Sequence, residues 1–151
     1  MKGFLMKANR LLITVFTLIR LTQANTNLEI SSKLFEEGSK ILKELARAIP
    51  GDIVVYEHTI KNPTSTIAKE IVFSDIIPKH TTYVPDSATC SEECLIEYSV
   101  DGEVFEKASE LFVYTNVLKL AHPKKYKYIR WTFSELEPNS KKILLFKTKI
   151  N

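Results

Sequence analysis

The most distinctive chemical feature of this sequence is a pair of cysteines spaced Cys90-Ser-Glu-Glu-Cys94. Such a pair can close a disulfide, hold a metal or run thiol exchange. In one continuous strand their Cα atoms would stand about 13 Å apart, well beyond the ~7 Å that a disulfide spans. A disulfide therefore demands a turn between the two, and closing so small a loop contributes about 2 kcal/mol while fixing its shape. The rival chemistry is a metal or redox pair completed by His80, which lies nearby in sequence. Redox pairs commonly leave two residues between the sulfurs at a helix start, so the expectation is a structural disulfide between Cys90 and Cys94.

The remaining chemistry-bearing residues are scattered. His58 shares one face of an apolar run with Val54, Tyr56 and Ile60. A buried histidine with one hydrogen-bonding partner explains it better than a metal ligand. Glu92 and Glu93 flank the cysteine loop and Asp75 is read in a turn, so no acid/base pair is expected. No serine sits in a Gly-x-Ser-x-Gly elbow. Two cysteines and three histidines fall short of a finger-type zinc set, and four glycines leave no room for a phosphate-cradling loop. No catalytic, cofactor or metal residue is assigned, and an enzyme is not expected.

The elements that must position these residues read as strands. Ile53 to Ile60 is rich in β-branched and aromatic residues and is bounded by Pro50-Gly51-Asp52 and Asn62-Pro63. Further runs are Glu70 to Ile76, Thr81 to Val84, Leu95 to Val100, Leu111 to Leu118, Tyr128 to Phe133 and Ile143 to Ile150. Asp101-Gly102 accepts positive φ and is expected to close a two-residue hairpin returning through Val104 and Phe105. Leu28 to Phe35 alternates well enough for an edge strand, whereas Ser39 to Arg47 carries apolar residues at helical spacing. Short strands with turns between them, and no βα alternation, point to an all-β antiparallel sandwich of about seven strands.

Charge is unevenly distributed. Lys2, Lys7 and Arg10 precede the apolar run Leu11 to Ile19, and Thr22 and Ala24 occupy the positions of a small-residue cleavage site. That is the layout of a secretory signal peptide, expected as a helix over 1–24; Met6 would serve equally as its start. This run of nine residues spans about 14 Å as a helix against the ~30 Å of a bilayer core, so no stable transmembrane span is expected in the mature form. Removing 1–24 takes away four cations and no acid, so the chain's net charge of +3 becomes −1 over residues 25–151, a single domain. A nucleic-acid partner needs a clustered positive surface. The one basic run, Lys124-Lys125-Tyr126-Lys127 with Tyr128 and Arg130 behind it, reads as a solvated loop leading into a strand.

An ordered set of residues carries a family resemblance. Ala48-Ile49-Pro50-Gly51-Asp52 followed by Val54, Tyr56, Ile60 and Asn62, then Asp75, Ile77-Pro78, Tyr83-Val84 and Ser87, Tyr98 to Gly102, Tyr128 to Trp131 and Leu136 to Ser140, resembles the bacterial surface repeat domain known as DUF11. The resemblance covers about 28 to 151 and implies an immunoglobulin-like β-sandwich of the cell envelope, here as one module without internal repeats. It implies that 40–47 is extended rather than helical. It also gives structural roles to Pro50, Gly51 and Asp52 at a strand start, Asn62 at a strand end, Asp75 bonding loop backbone before Pro78, and Tyr56 and Trp131 as core aromatics joining two sheets. The expected function is a non-enzymatic, exported, periplasmic or cell-surface structural and interaction module with an envelope protein or glycan as partner. The alternative is a small periplasmic metal- or thiol-redox protein using Cys90, Cys94 and a nearby histidine.

Overall fold

The computed structural model of the chain describes residues 17–19, 27–37, 43–44 and 48–151. The longest strands form where apolar and polar residues alternate: β4 (Ile53–Lys61), β5 (Ala68–Ile76), β11 (Tyr128–Leu136) and β12 (Lys141–Ile150). Around them lie β1 (Thr17–Ile19), β2 (Glu29–Glu36), β3 (Lys43–Glu44), β6 (Thr81–Tyr83), β7 (Thr89–Cys90), β8 (Leu95–Ser99), β9 (Phe112–Tyr114) and β10 (Leu118–Leu120). Twelve strands among the described residues replace the expected seven or so, because six of them are only two or three residues long. A 3₁₀ turn at Pro123–Lys125 precedes β11.

One sheet has the order β1-β5-β11-β8 and the other β3-β2-β4-β12-β6, with β7 pairing β12 beyond β6. All of these pairings are antiparallel. The two sheets pack face to face as the expected sandwich. Tyr56, Ile60, Leu144 and Phe146 from one face meet Ile71, Phe73, Ile129 and Trp131 from the other, all of them buried. Tyr56 stacks on Phe146 at 4.5 Å, and Trp131 lies 6.0 Å from the same ring, so both aromatics sit in the core as expected.

Three expected elements come out differently. Leu111 to Leu118 is not one strand, because the chain turns at Thr115–Val117 and returns as β10. Asp101-Gly102 does not close a two-residue hairpin. Tyr98 pairs Glu106 across a wider loop in which Gly102 has φ +86°, while Asp101 accepts hydrogen bonds from Ser99 Oγ and from the Glu103 and Val104 amides. Thr17–Ile19, inside the segment expected as a signal helix, is instead an edge strand on β5, where it pairs the backbone of Phe73, Ser74 and Asp75. A bare sheet edge has unpaired donors and acceptors, and this short strand satisfies them. The rest of the signal segment lies outside the described residues. Within 40–47, Lys43–Glu44 is extended as the family resemblance implies, and the other positions lie outside the described residues. No helix among the described residues is long and apolar enough to cross a membrane.

At one end of the sandwich Tyr83 and Tyr98, on opposite sheets, share a hydrogen bond between their hydroxyls at 2.9 Å, and Tyr126 stacks on Tyr98 at 4.6 Å. Burial, and then the bond to Tyr83, pushes the Tyr98 phenol well above its ordinary value. In the unfolded chain the phenol ionises near pH 10, whereas in the folded chain it stays protonated. Its stabilising contribution is therefore complete below about pH 10 and declines as pH rises beyond it. The urea midpoint is expected to fall steadily above that pH, and Tyr98→Phe to flatten the fall; an unchanged slope in the variant would remove Tyr98 as its source.

Candidate functional site

Three places in the fold bring chemistry-bearing residues together. The first is internal. His58 on β4 and Asp75 on β5 belong to different sheets, yet Nε2 and Oδ2 stand 2.9 Å apart with both side chains buried. No aligned hydrogen bond joins the two atoms, which form a close polar contact. The other ring nitrogen, Nδ1, lies 2.7 Å from Ser32 Oγ, on the neighbouring strand β2. Carboxylate, imidazole and hydroxyl thus run in series from the core to an exposed serine. The imidazole is enclosed by Phe73 at 4.9 Å and Phe146 at 6.0 Å, which makes this a polar tie through an aromatic core.

This arrangement bears out one expectation and corrects another. His58 is buried with one hydrogen-bonding partner, Ser32, and has Asp75 as a close polar contact besides, whereas Asp75 lies within β5 rather than in a turn. Its only backbone bond comes from the adjacent Ile76 amide at 2.8 Å, because its other oxygen faces inward to His58. Ser32 had one available signal, a polar residue between Ile30 and Leu34 on the inward-facing side of an edge strand.

The second place is the cysteine loop. Cys90 and Cys94 form a disulfide, and their Cα atoms are 6.6 Å apart, so the chain turns between them as the geometry required. The loop is also tied from below. Lys142 reaches Glu92 at 3.2 Å and the Glu93 carbonyl at 3.3 Å, and Ser91 Oγ accepts the Ile143 amide at 3.0 Å. His80 is not nearby. Thr81 is paired with Ile150 and Cys90 with Leu144 along the same strand, which sets the two sites about 20 Å apart at ~3.3 Å per residue.

The remaining residues singled out in the sequence make local and cross-sheet hydrogen bonds. Asn62 is buried and donates Nδ2 to the carbonyls of Thr66, Leu136 and Glu137, while its Oδ1 accepts from the Thr64 amide. Asp52 accepts the Ile49 amide at 2.8 Å in the Pro50-Gly51 turn, and the Pro78 carbonyl accepts the Thr81 amide. Trp131 Nε1 donates to Thr89 across the sandwich.

The third place is external. Leu111 and Ala121 are buried and joined by a 2.7 Å backbone bond, and beyond them β9 and β10 pair, among the described residues, only with each other. The register sets Phe112 against Leu120 and Tyr114 against Leu118, so four large apolar side chains share one face. They are 53%, 48%, 78% and 67% exposed, and Val117 at the turn is 63% exposed. The opposite face carries Val113 and Lys119 and overhangs a cleft of about 680 Å³ lined also by Val100, His122, Lys125 and Lys127. A second cleft, of about 730 Å³, lies on the other side of the 3₁₀ turn and contains Lys124 and Lys149. The basic run is therefore divided. Lys124, Lys125 and Lys127 face these clefts, Tyr126 is in the core, and Arg130 is committed to Glu97 at 2.7 Å and to the Phe105 ring at 4.2 Å.

No protein-family model, curated protein or solved structure matches the chain. The site is therefore read from its own geometry.

Removing one member of a buried pair leaves the other without compensation, at a cost of about 3 to 5 kcal/mol. His58→Leu and Asp75→Asn are each expected to fall in or near that range by urea unfolding, with the double variant losing clearly less than the sum. Strict additivity would show that the two groups do not interact. For the disulfide, thiol titration of the unfolded, non-reduced protein should find no free thiol, and reduction should lower the unfolding free energy by about 2 kcal/mol. Two free thiols before reduction would contradict the pairing.

Proposed function

We propose that this chain is a non-enzymatic, exported cell-envelope module with a DUF11-type, immunoglobulin-like sandwich, and that it works by presenting the β9–β10 hairpin to another envelope component. The observation that carries this reading is the exposed apolar face of Phe112, Tyr114, Leu118 and Leu120. Isolated exposed apolar residues are ordinary, but a contiguous set rimmed by charge is the mark of an interaction surface. This hairpin of three-residue strands pairs with no other strand among the described residues and cannot bury that face by itself.

The export layout of residues 1–24 supports the location, and the disulfide is in keeping with an oxidising compartment. Paired sulfurs, with His80 far along the strand, favour a structural role for the cysteines over the metal or redox alternative. Cleavage after Ala24 would also remove β1 and open the β5 edge at Phe73–Asp75.

Expression of the full chain with a C-terminal tag in a bacterial host tests this reading. The protein should be recovered in the envelope fraction, shortened by residues 1–24, and Val117→Asp with Leu118→Asp should release it into the soluble exported fraction. Recovery in the cytoplasm at full mass would overturn the proposal.

A further inference from the structure

The hairpin and the cleft behind it combine two kinds of recognition on one small element. One face is apolar, with Phe112, Tyr114, Leu118 and Leu120 in cross-strand register. Behind it, Lys119, Lys125 and Lys127 line the cleft with His122, and no carboxylate is among the described residues that line it. We infer that this surface docks onto an anionic phospholipid bilayer: the apolar face enters the headgroup boundary and the cleft lysines hold lipid phosphates. The inference rests on the interaction-module reading and names the partner.

Charge complementarity and length both point to this occupant. A polyanionic glycan would engage the lysines but leave four large apolar side chains in water. An apolar groove on a protein would cover those side chains but leave three ammonium groups unpaired beside it. An anionic bilayer surface satisfies both, because acyl chains and phosphates lie within one interfacial layer. A three-residue strand is about 10 Å long, which matches the ~5–10 Å depth at which amphipathic elements rest in that layer. Lysine stems can lie along the apolar wall of Val100 and Val113 while their ammonium groups reach outward. The segment lost on export does not contribute to this charge, since all three cleft lysines belong to residues 25–151.

The test uses the full chain and vesicles of either pure phosphatidylcholine or phosphatidylcholine with phosphatidylglycerol. Residues 1–24, with their four cations and the apolar run Leu11 to Ile19, are present in every variant, so they cancel from the comparisons between variants, and those comparisons isolate the hairpin. The wild type is expected to sediment with the anionic vesicles at least about tenfold more tightly than with the neutral ones, the preference fading at about 0.5 M salt. Lys119→Glu with Lys125→Glu should weaken binding to the anionic vesicles about tenfold relative to wild type and leave binding to the neutral ones unchanged. Val117→Asp with Leu118→Asp should weaken anionic binding about tenfold or more, with urea unfolding unchanged because these side chains lie outside the core. A Tyr114→Trp variant should show blue-shifted emission on anionic vesicles. Equal binding to both vesicle types, or a Val117/Leu118 variant that binds as tightly as wild type, overturns the inference. If the protein ignores vesicles and yet is released from the envelope fraction by the same hairpin variant, the lipid assignment fails while the interaction-module reading stands.

Discussion

The sandwich is organised around a polar contact at the centre of an apolar core: the approach of His58 on one sheet to Asp75 on the other, 2.9 Å apart and shut away from water. Burying an imidazole and a carboxylate costs desolvation energy that only a well-placed partner offsets. The pairing therefore constrains the register of both sheets, because a slip of one residue in β4 or β5 would turn one group to the outside and strand the other. Ser32 extends the constraint to β2. Its hydroxyl meets the second ring nitrogen, so the edge strand is tied to the same centre.

The other buried polar contacts also join the two sheets. Trp131 donates to the Thr89 carbonyl, and Tyr83 shares a hydroxyl bond with Tyr98. Hydrophobic burial drives two apolar faces together without specifying their offset, whereas directional contacts do specify it. Against this well-tied core the β9–β10 hairpin stands apart. It is anchored by Leu111 and Ala121, and its apolar face has no partner within the described residues. Cross-sheet ties fix the body of the domain, while five large exposed apolar side chains gather on this one hairpin.

Much of the fold was legible residue by residue. Val54, Tyr56, His58 and Ile60 announce an inward face by their period of two, and Pro50-Gly51-Asp52 announces the turn before it; all appear where expected. The turn between Cys90 and Cys94 followed from strand dimensions alone. The hairpin did not. Leu111 to Leu118 is apolar enough to read as one strand, and Thr115, Asn116 and Val117 carry no glycine or proline to mark the reversal. Nor did the His58–Asp75 contact, since sequence can show that each position points inward but not which residue on the opposite sheet it meets.

Local chemistry in the sequence thus determined which segments are strands, which faces turn inward, where the disulfide loop must bend, and how the cationic residues 1–24 differ in charge from the near-neutral chain behind them. These depend on alternation, turn residues and covalent reach, all of which are short-range. Only the tertiary structure decided that His58 meets Asp75, that His80 lies far from the cysteines, that Arg130 is taken up by Glu97 and Phe105, and that Lys119 joins Lys125 and Lys127 around one cleft. Each of those depends on which strands lie side by side and on the register between them, and that choice is made by packing the whole core at once.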